Sequence, residues 1–128
     1  MGERGIAVSD ADRVAKAEKQ LETKYPTKRM SLAEAQSWID RVAHSEDVDP
    51  PIVVRRTMPR RLLGVAVMDS HAIFVRHARP SQLTLLHELT HCIGHAGHGP
   101  SFQKRLIELV AQHVSAEHGD VLRVALAI

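Results

Sequence analysis

One cysteine, four aromatic residues and a formal charge of only +2 set the first limits on this 128-residue chain. The lone Cys92 excludes an internal disulfide and any zinc site assembled from several cysteines. With Tyr25, Trp38, Phe74 and Phe102 as the whole aromatic complement, the core must be aliphatic. A stacking platform for single-stranded nucleic acid is then hard to build. No stretch approaches the roughly eighteen apolar residues of a membrane span. The N-terminus MGERGIAVSD has no apolar signal region, and Ile6 breaks the myristoylation pattern. A soluble, cytoplasmic protein with no membrane partner is expected. The charge balance, 17 Lys+Arg against 15 Asp+Glu, leaves nucleic acid as a partner only through a local cluster.

What is present is ordinary globular material, 44% hydrophobic and 25% charged. The length suits one domain, 1–128, with residues 1–50 a helical extension packed on the rest. Ser9 to Lys24 reads as a polar helix with a thin stripe of Val14, Ala17 and Leu21, stopped by Tyr25-Pro26. Ser31-Leu32-Ala33-Glu34 is a capping box ahead of Leu32, Ala35, Ile39, Val42 and Ala43 at helical spacing. Trp38 on that helix is expected in the core. After Asp49-Pro50-Pro51 the texture becomes β-branched. Strands are predicted at Ile52–Val54, Leu63–Met68 and His71–His77, the last two joined by a turn at Asp69-Ser70. Ser81 can cap a helix running to Gly94. Pro100 opens a last long helix lined by Phe102, Leu106, Leu109, Val110 and Val114, closed by Gly119. The pattern leaves 120–128 as either helix or strand.

Chemistry enters with His87-Glu88-Leu89-Thr90-His91, an HExxH motif inside the Ser81 helix. Residues four apart share a helix face, so His87 and His91 can offer imidazole nitrogens to one metal ion. Glu88, turned by about 100°, stands beside the ion and can take a proton from a water that zinc has acidified. A bland alternative is a solvated histidine face, but Leu85, Leu86, Leu89 and Ile93 should bury most of this helix. A hydrolytic zinc needs a third protein ligand and one open position. His95, His98, Glu108 and His118 compete for that role. Gly94 as a helix terminator would let the chain turn back and favours His98.

His91 to Phe102 reads HCIGHAGHGPSF. An HExxH followed by His-Gly-Pro-Ser-Phe resembles the SprT-like zinc metallopeptidases, in particular small bacterial and phage members. The resemblance covers Leu63 to Val114 and is most specific over Leu86 to Phe102. It implies a zincin-like fold, one Zn2+ per chain, and His98 of the HGxxF-type motif as third ligand beside His87 and His91. It also implies that Phe102 packs to seat the last helix. The spacing from His91 to His98 is short for the family, and a lone cysteine forbids the zinc ribbon that many relatives carry. Metzincins and a bacterial rRNA-maturing endonuclease family would want histidine at Gly97.

The expected fold is therefore α+β and zincin-like. A small antiparallel sheet packs with the metal helix, N-terminal helices and a C-terminal buttressing helix. The expected activity is hydrolysis of peptide bonds in a peptide or protein substrate, with Glu88 catalytic. The alternatives are a metal-dependent nuclease on a related three-histidine scaffold and a non-catalytic zinc-binding regulatory module. An ordinary helical protein without metal is the plainest competitor. In zinc peptidases of this architecture an edge strand pairs with extended substrate, a place that Ile73–His77 would occupy. Arg55, Arg56, Arg60 and Arg61, with Arg76 and Arg79 near them, read first as a solvated sheet edge and second as a phosphate-binding patch. Cys92 is expected to be a small buried residue. No oxyanion stabiliser stands out among Tyr25, His71, His77, His95 and Arg79.

Overall fold

The computed structural model describes residues 8–128, so the expectations for the N-terminal heptapeptide lie outside the described residues. Five helices and three short strands follow in the order α1 (Asp10–Lys24), α2 (Leu32–Ser45), β1 (Ile52–Arg55), β2 (Gly64–Val67), β3 (Ala72–Val75), α3 (Gln82–Cys92), α4 (Pro100–His113) and α5 (Ala116–Ala125). The class is α+β. No helix among the described residues is long and apolar enough to cross a membrane.

Helix starts follow the local chemistry of the chain. Ser9 accepts a hydrogen bond from the Asp12 amide at 3.1 Å and caps α1. Both halves of the Ser31–Glu34 capping box form on α2. Ser81 caps α3 through the Thr84 amide, and Pro100 occupies the first turn of α4. Gly94 (φ 113°) and Gly97 (φ 69°) adopt the left-handed region between α3 and α4, where a side chain would be strained. The chain reverses there within a few residues.

The sheet corrects the expected topology. Its order is β1-β3-β2, with β1 parallel and β2 antiparallel to β3. It is mixed, and β3 is the central strand rather than a substrate-facing edge. The cause is visible in β3 itself. Ala72, Ile73 and Val75 are all buried, so both of its faces are covered, as in a strand with neighbours on each side. β2 is an outer strand, and its residues are all half-buried.

One aliphatic core runs from Val14, Ala17 and Leu21 of α1 through Ile39, Ile73, Leu85, Leu86 and Leu89 to Leu106, Leu109 and Leu122. Trp38 is only half-buried against it, and so is Cys92. Gly119 does not close α4; it lies inside α5, which settles the tail as helix. A Cβ there would stand 2.6 Å from Ala111 Cβ, so glycine permits the close approach of α4 and α5. The strap 27–30 ties α1 to the start of α3. The Met30 amide donates to Pro80 O, the Gln82 amide to Lys28 O, and the Leu83 amide to Thr27 Oγ1. Arg13 also reaches Leu126 O at 2.8 Å and pins α1 to the end of α5. These ties bring a polar helix over the face of α3 that carries the histidines.

Candidate metal centre

His87 and His91 project from one face of α3, and the glycine turn returns His98 to them. One ring nitrogen of each of the three lies within 4.8 Å of the others, an arrangement that could hold a metal ion. His87 Nε2 and His98 Nε2 are 3.2 Å apart. Two ligands about 2.0 Å from a tetrahedral metal would be separated by about 3.3 Å, so the spacing fits.

The tautomers fit as well. His87 Nδ1 is 2.5 Å from Glu18 Oε2, and an ionised carboxylate can only accept. Nδ1 therefore carries the proton and Nε2 presents its lone pair. His91 Nδ1 donates to the His95 carbonyl at 2.7 Å, with the same consequence. Gln103, buried on α4, donates to the His98 carbonyl at 2.8 Å and holds the turn that bears His98. Phe102 forms the floor. Its ring centroid is 4.9 Å from that of His87, 4.6 Å from His91 and 5.0 Å from His98, and it is itself buried. It packs against the histidines as well as seating α4.

The other candidates for third ligand lie elsewhere. The His95 ring bonds Ser101 Oγ, although its carbonyl orients His91. Glu108 is exposed and pairs with Arg105. His118 bonds Ser115 and stacks edge-on with Tyr25. Burial and then the Glu88 charge push the Cys92 thiol up to about 11, so it is no thiolate near neutrality.

Glu88 is outside the ligand group but beside it, its Oε2 3.9 Å from His87 Nε2. It is buried against β2, where a Cβ on Gly64 would come within 3.1 Å of Glu88 Cγ. Burial raises its pKa, with His87 opposing and Glu18 adding to the rise. Burial depresses the His91 and His98 imidazoles, which keeps them neutral and able to ligate. For His87 burial acts downward too, but the Glu18 carboxylate outweighs it and raises the pKa.

Two arms of a cleft meet at this group. The larger, about 730 Å³, runs between α1 and the chain before β2, past Glu18, Arg29, Arg61 and His77. The smaller, about 460 Å³, is bordered by Val65, Ala66, Met68 and Ala96. Of the oxyanion candidates, His77 lines the larger arm, whereas His71 bonds the Asp49 carbonyl and Tyr25 packs on His118.

Sequence reasoning missed Glu18, Gln103 and the His95 carbonyl. Glu18 faces the half-polar surface of a helix whose stripe is thin, and no local spacing ties it to His87. Gln103 did leave a trace, as a polar residue beside Phe102 on the buried face of α4. Comparison of the chain with protein-family models, with curated proteins and with solved structures finds no match.

Proposed function

We propose that the chain is a zinc-dependent peptidase with a zincin-like, SprT-like fold, in which His87, His91 and His98 hold one Zn2+ and Glu88 is the general base. The observation that carries this reading is the division of labour within the cluster. Three imidazole nitrogens converge, while a buried carboxylate of raised pKa stands next to them and outside their group. Imidazole ligands also suit copper, nickel and iron; three protein ligands with a carboxylate beside them is one arrangement that catalytic zinc uses. Zinc held there would supply Lewis acidity, polarising a scissile carbonyl and bringing the pKa of a ligated water to about 7.

The protein's own groups do the rest. Glu88 takes the proton from the attacking water and passes it to the departing amine nitrogen, for which a raised pKa is well matched. Phe102, Gln103 and the His95 carbonyl hold the three rings in place. β2, as an outer strand, is the sheet edge on which an extended peptide would pair, a role transferred here from the strand that turned out to be central.

Metal content per chain and hydrolysis of a mixed peptide library test the proposal together. Wild type should carry about one zinc per chain and His98→Ala close to none. Glu88→Gln should keep its zinc and lose about 10²–10⁴-fold in peptide hydrolysis. Hydrolysis of RNA by a wild type inert toward peptides would favour the nuclease. An in vivo effect that survives Glu88→Gln would favour a non-catalytic zinc module. Absence of zinc after reconstitution would end the enzyme reading.

A further inference from the structure

The cations of this chain are unevenly placed. Residues 52–87 contain six arginines, Arg55, Arg56, Arg60, Arg61, Arg76 and Arg79, against one carboxylate, Asp69. Among the described residues none of the six, and not Arg29, lies in an ion pair. Several are fixed by backbone carbonyls instead. Arg55 Nε donates to Arg76 O at 3.2 Å and Arg29 Nη1 to Arg79 O at 3.1 Å. Arg76 Nε is buried without a hydrogen-bond partner among the described residues. The group is dense enough that, after burial, the charges of Arg76, Arg29 and Arg55 depress the pKa of His77. His77 is thus an imidazole set among guanidiniums.

This cluster is not on a remote face. Arg29, Arg61 and His77 line the larger arm of the cleft, which also takes in His87, Glu88 and His98. The smaller arm shares those three residues and is walled by Val65, Ala66, Met68 and Ala96. A ligand spanning both arms meets guanidiniums in one and aliphatic side chains in the other.

Resting on the peptidase reading, we infer that the preferred substrate is an acidic peptide, with an Asp or Glu side chain placed in the Arg29–Arg61–His77 arm and an apolar side chain against Val65 and Met68. Guanidiniums outside any ion pair, as Arg29 and Arg61 are among the described residues, recognise carboxylates through charge-assisted, forked hydrogen bonds. A nucleic-acid strand fits the same cleft less well. The α1 wall of the larger arm presents Asp12, Glu18 and Glu22, which would repel a continuous phosphate backbone on its way to the metal. Phe74, half-buried in β3, lies under Arg56 at 5.2 Å. A peptide brings one localised carboxylate, which need not run the length of that acidic wall and needs no stacking partner.

Two fluorogenic peptide libraries identical except for Glu or Lys at fixed positions provide the test on the zinc-loaded protein. Wild type should favour the Glu library by about tenfold in kcat/KM, the scale of two partly exposed charge contacts. The double variant Arg29→Glu with Arg61→Glu should invert that preference. Equal rates on both libraries, or a preference unmoved by the double variant, would overturn the inference while leaving the peptidase reading intact. Should wild type cleave neither library, binding of the same peptides to zinc-loaded Glu88→Gln by fluorescence anisotropy decides separately. Arginine-dependent retention of the Glu peptides would uphold acidic recognition without hydrolysis. Indifference to charge, or displacement by a single-stranded oligonucleotide ahead of the Glu peptides, would sink it.

Discussion

Glu18 precedes His87 by 69 positions, yet its carboxylate lies 2.5 Å from the ring. Partners of this kind set the tautomer of a metal-binding histidine and raise its basicity, and their loss lowers metal affinity about 10–100-fold. Glu18→Ala should weaken zinc binding by that amount in a chelator competition, and Glu18→Gln by less, because the amide oxygen still accepts from Nδ1. An unchanged affinity in Glu18→Ala would reduce the contact to packing of α1 on α3. The two ends of this contact were unequally legible in sequence. His87 and His91 announce themselves through helical spacing, and His98 through the glycine turn that returns it. Glu18 is one acid among several on a polar helix, and only the strap 27–30 and the Arg13 contact with Leu126 select it.

At the scale of elements, caps and turns were readable because they are local. Ser9, Ser31, Ser81 and Pro100 each mark a helix start within one residue of its observed place. Strand order was not, because pairing β1 with β3 joins segments separated by the whole of β2. The uninterrupted apolar run of β3, Ala72-Ile73-Phe74-Val75, was the available sign of a central strand. Glu46 illustrates another contact beyond the reach of periodicity. Just past α2, it accepts from Arg105 Nη2 at 2.6 Å and from His113 Nε2 at 2.7 Å, both on α4. Burial raises its pKa, but the His113 and Arg105 bonds prevail and the net shift is downward. A carboxyl depressed in the folded state contributes stability above its unfolded value of 4.5 and loses it as pH falls through the folded one. Glu46→Gln should therefore lower stability by about 1.5–3 kcal/mol at neutral pH, the scale of hydrogen bonds to a charged group. It should also flatten the acid limb of the curve below about pH 5. Urea titrations from pH 3 to 7 in chelator check this; an unaltered acid limb would show that the contact is not linked to folding.

Over the whole molecule, the core and the candidate metal site draw on the same segments. The aliphatic core spans all five helices without calling on the histidines, so the chain has the means to fold before it binds metal. The three candidate ligands nevertheless come from α3 and the turn before α4, and Glu18 adds α1 as the support of His87. An ion bound there couples three stretches of backbone that the unfolded chain would hold far apart. Binding only to the folded state stabilises it by RT ln(1 + [L]/Kd), about 2.7 kcal/mol at a hundredfold excess over Kd. For a chain of 128 residues that amounts to about 10 °C in Tm. Calorimetry on metal-stripped protein should show this rise as zinc is added. In His98→Ala the melting temperature without metal should stay near that of stripped wild type, because His98 is half-buried and outside the core, while most of the zinc-dependent rise disappears. Phe102→Ala should lower both, because the ring belongs at once to the core and to the floor beneath the histidines. A wild-type Tm indifferent to zinc would mean that the three histidines meet for packing alone, and the proposed chemistry would fall with it.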